Sequence, residues 1–402
     1  MAYAQPMGRL ISAAAVLAVV SAILVPPTAT ADPTPAPSWS GMDTRTWERP
    51  IPAPGVTAQT VALDPALSLP DAGHAVRSAY GTLDQHGEPA IATSATFLPH
   101  GTPPPGGWPV IAWAHGTTGL GDDCSPSTQP RSDRDAEYLG HWLRQGYAVV
   151  AADYAGLGTP GLLSYLNGAS TARGIVDAVV AARADDLPLA PQWALVGQSQ
   201  GAGAALNTAV RATDLGAPAG LDYRGVVATG APANIEHLFQ WGGPGFPPVA
   251  LPTGLNIYAA YILAGFREQH PELDVDGLLT PRGREIVDSA EHLCYAEMRD
   301  EVESSGFQVS EALERPLKDI PDVFGHLHRY MGTPAAGSDR PVFLGQGLLD
   351  IDVPAPSALS LAAEMTANAE PLELHVFPDQ DHSGTVHAAT PAATEFLDRV
   401  LG

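Results

Sequence analysis

The chain has 402 residues, 45% apolar and 16% charged, with a formal net charge of −24. That is enough apolar material for a large core and too little charge for a disordered acidic chain. The acidic balance argues against nucleic-acid phosphate and anionic lipid surfaces as partners, because like charges repel.

The first 31 residues read as a secretory signal peptide. Arg9 precedes an uninterrupted small and apolar run over 10–25, followed by Pro26, Pro27 and the cleavage-site pattern Ala29-Thr30-Ala31. The run is shorter than the roughly 20 residues that span a bilayer. Cleavage after Ala31 and export of a soluble protein are expected. Residues 32–72 read as an extended leader, rich in Pro, Ser and Thr at its start. The remainder, 73–402, reads as one domain.

Short β-type runs fall at 75–80 and 90–98. After a turn-rich stretch, "WPVIAWA" at Trp108–Ala114 is continuously apolar, which points to a strand covered on both faces. Helical and strand patterns then alternate. Helices are expected at 133–145, 171–184, 201–213, 355–367 and 394–401, and strands at 147–153, 193–197, 225–229, 341–345 and 372–377. This rhythm predicts an α/β fold, a mostly parallel sheet with helices on both faces. The stretch 231–340 breaks the rhythm and is too long for a loop. It contains the apolar helical run "GLNIYAAYILAGF" at 254–266. That run fits a core helix of an inserted subdomain and equally a cap whose apolar face roofs an acyl pocket.

The chemistry starts at "WALVGQSQGAGAA". Gly-x-Ser-x-Gly alone is a weak pattern in a chain with 41 glycines. Here an apolar strand leads directly into Ser199 and an Ala-rich helix follows it, the context of a nucleophile on a sharp strand-to-helix turn. A serine hydroxyl needs a base, and the base needs an orienting carboxylate. In this architecture they follow in the order Ser, Asp or Glu, His, each after a strand. "LGQGLLDIDVP" supplies Asp350, favoured over Asp352, which better suits an N-cap of the helix near Ala355. "HVFPDQDHSG" supplies His382 in the loop after the next strand, in preference to His375 and His387. Oxyanion donors are expected from the backbone N–H of Gln200 and, in "HGTTG", of Thr117, with Thr118 as the alternative. Metal binding by Asp379, Asp381, His382 and His387 lacks a supporting metal motif, and no metal is expected. Two cysteines, Cys124 and Cys294, make one disulfide the expected state in an oxidising compartment, with two buried thiols as the alternative.

From about residue 75 onward, the stretches "WPVIAWAHGTTG", "DDCSPS", "GHWLRQGYAVVAADYAGLG", "VGQSQGAGAA", "LGQGLLDIDVP" and "PDQDHSG" resemble the secretory lipase family, the lipase A-like branch of the α/β-hydrolases. The resemblance implies the α/β-hydrolase fold with an inserted helical cap at about 231–340. It also implies a Ser199–Asp350–His382 triad and a Cys124–Cys294 disulfide. The activity implied is carboxylic-ester hydrolysis, acylglycerols included, without metal or organic cofactor. Gln198 and Gln200 stand where many relatives carry His or Tyr and Gly, a departure expected to affect substrate preference. The expected partners are a lipid or small ester substrate and a transient lipid interface met through the cap. No nucleic acid and no protein partner are expected. The rival readings are an exported acyltransferase that passes the acyl group to a sugar or lipid hydroxyl, a serine peptidase on the same fold, and a non-catalytic binding protein.

Overall fold

The computed structural model describes residues 36–245 and 249–402; the expected signal peptide lies outside them. Nine strands form one sheet: β1 (Thr57–Ala62), β2 (Ala72–Leu83), β3 (Pro89–Pro99), β4 (Trp108–Ala114), β5 (Ala148–Ala152), β6 (Leu189–Gln198), β7 (Asp222–Thr229), β8 (Val342–Gly347) and β9 (Leu372–Phe377). Their spatial order is β1-β2-β3-β5-β4-β6-β7-β8-β9. The pairings from β1 to β5 are antiparallel, and those from β5 through β9 are parallel.

Side-chain alternation explains the continuous apolar strands. Along β4, Val110, Ala112 and Ala114 enter one buried cluster, while Ile111 and Trp113 enter a second on the opposite face. β5 and β6 divide in the same way, with Val150 and Leu195 on one side and Val149 and Val196 on the other. Both faces are therefore covered, as the apolar runs predict. Helices α1 (Asp133–Arg144), α2 (Gly168–Ala184), α3 (Gln200–Ala209) and α4 (Ala212–Gly216) precede β7. Between β7 and β8 lie α5 (Glu236–Phe239), α6 (Thr253–Gln269), α7 (Pro281–Ala290), α8 (Tyr295–Ser305) and α9 (Val323–Met331), and α10 (Ala355–Ala367) and α11 (His382–Leu401) follow. Residues of α2, α3, α6 and α10 share one core with β4, and those of α1 and α11 share the other. Helix α6 is buried from Ala259 to Phe266, so the apolar run at 254–266 is a core helix of the inserted segment.

Three local expectations change. Strand β1 lies in the stretch read as leader, and that stretch packs against the sheet. The buried Arg77 guanidinium on β2 donates to Met42 O at 2.5 Å and to Thr44 Oγ1 at 3.2 Å. The helix expected at 201–213 breaks at Val210 and resumes as α4. Helix α11 starts at His382 instead of 394, so His382 opens a helix and does not sit in a loop. Asp381 caps it, its carboxylate accepting the Gly384 N–H at 2.7 Å, and the helix runs through Pro391 because a buried stripe of Val386, Ala389, Ala393, Phe396 and Leu397 holds it.

Cys124 and Cys294 form a disulfide that closes 170 residues of chain. It fastens the start of α8 to the loop after β4. Next to it, Tyr295 N–H donates to Thr118 O at 2.9 Å. Replacing both cysteines with alanine is expected to lower the unfolding free energy by about 2–5 kcal/mol. Calorimetry should then show the reduced wild-type protein melting near the double variant and both melting below the oxidised form.

Candidate active site

One residue, Ser199, separates β6 from α3, and it holds φ 57°, ψ −126°. Such a conformation costs a non-glycine residue about 1–3 kcal/mol. Its neighbours show why the turn is so tight. A Cβ on Gly201 would lie 1.9 Å from Ala114 O on β4, and one on Gly197 would lie 2.2 Å from Gly201 O. Only glycine lets strand, turn and helix approach this closely. Ser199 N–H donates to Thr229 O at 3.0 Å, and Ser199 O accepts from Ala202 and Gly203 at the helix start.

The position follows from topology. β4 is paired to β5 on one side and β6 on the other, so the strand order reverses there. Open parallel sheets place their sites beyond the carboxyl ends of strands at such a switch point. Ser199 follows β6 and Thr117 follows β4, its immediate neighbour. Gln200 opens α3, directly after Ser199, and among the described residues the Thr117 N–H, in the loop after β4, has no backbone acceptor. Behind Thr117, His115 donates from Nδ1 to Gly116 O at 2.7 Å and stacks on Tyr154, and burial pushes its imidazole below the usual range, so it stays neutral.

Asp350 follows β8 and His382 follows β9. Asp350 Oδ2 accepts from His382 Nδ1 at 2.7 Å. Its Oδ1 accepts the N–H groups of Asp352 at 3.0 Å and Val353 at 2.8 Å, and Gln346 Nε2 adds a 3.3 Å contact to Oδ2. Asp350 is 4% exposed, Ser199 8% and His382 9%, so all three lie beneath the surface. Asp352 does not cap α10, whose start at Pro354 has no side-chain cap, because its carboxylate accepts the Tyr258 hydroxyl at 3.2 Å. Tyr258 belongs to α6. Burial pushes its phenol far up, so the hydroxyl remains a donor. Burial acts the same way on Tyr165, whose hydroxyl is paired with Thr117 Oγ1 at 2.7 Å. The inserted helical segment thus touches both sides of the site, at Asp352 and at Thr118.

No hydrogen bond joins Ser199 Oγ to His382 among the described residues. His382 Nε2 instead faces Gln198 Nε2 at 2.9 Å, and Gln198 Oε1 accepts from Arg134 Nη2 at 3.2 Å. Arg134, on α1, escaped the sequence reading, since nothing in its local pattern marks it. Gln198 was expected to affect substrate choice, yet its side chain meets the imidazole. The residues around His382 considered for metal, Asp379, Asp381 and His387, do not gather with it into a ligand set among the described residues. His270, Glu272 and His326 do bring three possible ligand atoms within 4.8 Å of one another, on the inserted segment.

Against solved structures, the chain superposes on the closed state of lipase A from Candida antarctica with a TM-score of 0.69 and 18% identity, over 87% of this chain and 82% of that one. A ligand-bound form of the rice cell wall degrading esterase LipA from Xanthomonas oryzae gives a TM-score of 0.67 and 20% identity, over 87% of this chain and 99% of that one. The chain has the α/β-hydrolase fold. This agrees, at the level of fold, with the resemblance carried by the motifs. A family model described as the prolyl oligopeptidase family matches residues 300–402, the stretch that holds Asp350 and His382. No curated protein matches the chain in sequence.

The 1.9 Å approach at Gly201 makes a sharp stability prediction. Gly201→Ala must push α3 off β4, and overpacking of this kind costs about 1–3 kcal/mol or more. Urea unfolding is expected to show a clearly lower midpoint, whereas Gly174→Ala, where nothing lies within 4 Å of an added Cβ, should leave it unchanged or raise it.

Proposed function

We propose that this chain is an exported serine carboxylic-ester hydrolase acting on lipid esters. The observation that carries the reading is the 2.7 Å pair of His382 Nδ1 and Asp350 Oδ2, set at the same sheet edge as a serine held at positive φ. Ser199 Oγ attacks the ester carbonyl while His382 Nε2 takes its proton. Asp350 keeps the imidazole proton on Nδ1 and stabilises the imidazolium that forms. The Gln200 and Thr117 N–H groups receive the oxyanion, helped by the positive end of α3. The alcohol leaves with the proton from His382, and water then repeats the sequence on the acyl-enzyme.

Other features support the finer points. The disulfide suits an oxidising compartment and hence export. The inserted helical segment, hydrogen-bonded to Asp352 and Thr118, suits a cap over the site. Exposed Leu348, Leu349 and Ile351 bracket Asp350, and apolar surface at a rim suits lipid substrates. A lipase and an esterase share the fold.

The test is a hydrolysis profile on p-nitrophenyl esters from acetate to palmitate, with p-nitroanilides alongside. Ester turnover is expected to fall by about 10⁴-fold or more in Ser199→Ala. Equal inactivity of wild type and variant on every ester would refute the reading, and cleavage of anilides alone would move it to a peptidase. Asp350→Asn is expected to lose about 10⁴-fold in kcat, because the amide favours the wrong imidazole tautomer. Asp352→Asn, whose side chain bonds to Tyr258 and makes no hydrogen bond to the imidazole, should stay within about tenfold of wild type.

A further inference from the structure

His382 Nε2 has one lone pair, and the proposed reaction needs it for the Ser199 proton. In this structure it points at an amide. The identity of that amide group follows from its other neighbour. A guanidinium carries donors only, so the Gln198 atom facing Arg134 Nη2 at 3.2 Å is the carbonyl oxygen. The atom facing His382 Nε2 at 2.9 Å is then the NH₂ group. A donor there requires an unprotonated Nε2. The ring proton therefore sits on Nδ1 and points at Asp350 Oδ2, 2.7 Å away. The donors run in one direction, from Arg134 to Gln198 to His382 to Asp350.

Arg134 is itself fixed. Its Nε and Nη2 lie 2.9 and 2.8 Å from Asp135 Oδ1, and its Nη1 donates to Ser383 Oγ at 3.2 Å. It thus bonds directly to both neighbours of the pair, to Gln198 before Ser199 and to Ser383 after His382. Gln198 is 2% exposed and has room because position 116 is glycine: a Cβ there would lie 2.7 Å from Gln198 Oε1.

We infer that Arg134 and Gln198 form a positioning relay that sets the His382 tautomer and latches its Nε2 lone pair until substrate arrives. The inference rests on the hydrolase reading for its kinetic consequence, though not for the tautomer. In the reaction the Ser199 Oγ–H bond breaks and an Nε2–H bond forms. The imidazolium then presents a donor to the Gln198 donor, so the amide must give way before the proton can move. Gln198 lowers the availability of the base in the resting protein and keeps it correctly tautomerised.

The experiment compares wild type with Gln198→Ala, Gln198→Glu, Arg134→Met and Arg134→Lys. The probes are the ¹⁵N imidazole spectrum, with His382 assigned by its loss in His382→Gln, and the rate of labelling by a p-nitrophenyl phosphonate. Wild type is expected to show a protonated Nδ1 and a hydrogen-bonded, unprotonated Nε2. In Gln198→Ala the Nε2 signal should move to that of a free acceptor, and labelling should speed up about fivefold, the worth of one hydrogen bond. Gln198→Glu places a carboxylate where the NH₂ was. It should draw a second proton onto the ring and slow labelling by tenfold or more. Arg134→Met releases the amide and should mimic Gln198→Ala in part, while Arg134→Lys, still a pure donor, should keep the wild-type spectrum.

A protonated Nε2 in the wild type overturns the relay, as does a spectrum indifferent to Gln198→Ala and Gln198→Glu in folded protein. Spectra that move while both variants label at the wild-type rate overturn the latch. Wild type that never reacts with the phosphonate defeats the hydrolase reading and the latch together, and the spectra still decide the tautomer. Circular dichroism on each variant separates these outcomes from unfolding.

Discussion

The site depends on how closely α3 lies against β4. The Gly201 main chain sits so near Ala114 O that no side chain fits between them. With β6 feeding straight into α3, one residue must make the whole turn, and Ser199 takes it at a φ of 57°. Strain of this kind survives only where the surroundings over-determine it. Here every residue of α3 from Gln200 to Ala209 is buried, and Ser199 N–H is anchored on β7. Relaxing the serine would mean lifting a buried helix off the sheet.

That constraint also brings the polar groups together. β4, β6, β8 and β9 all run the same way, so Thr117, Ser199, Asp350 and His382 leave the sheet at one edge. A carboxylate as enclosed as Asp350 is costly without partners. It has donors on both oxygens, from two backbone amides, His382 and Gln346. Burial here is matched by hydrogen bonds, and that rigidity fixes the imidazole plane.

Much of this was legible in the chain. β4, β9 and α10 fall at the residues expected of them: β4 and α10 are rich in apolar residues, β9 alternates apolar with polar ones, and each is bounded by Gly, Pro or a polar turn. Ser199, Asp350 and His382 were each expected beyond the end of a strand, and they follow β6, β8 and β9. β1 was not legible, since "TAQTVA" sets only two alanines and one valine among polar residues and follows a Pro-rich stretch. The first half of α11 was hidden by Ser383, Gly384 and Pro391, which read as breakers; the buried stripe and the Asp381 cap outweigh them. The meeting of Gln198 with His382 and Arg134 was out of reach. It joins a strand end, a helix start and α1, at sequence separations of 184 and 64, and only the packed tertiary structure sets it.

The close packing of the turn also limits how it can be altered. Positions 197 and 201 admit no side chain, and position 199 carries the hydroxyl, so variation is confined to 198 and 200. Position 200 opens the buried helix. Position 198 is therefore the place in the turn where the environment of the imidazole can be retuned, and it shares its space with Gly116. Those two residues form a coupled pair. A bulkier residue at 116 calls for a smaller one at 198, and a descendant sequence that changed one would be expected to carry a compensating change at the other.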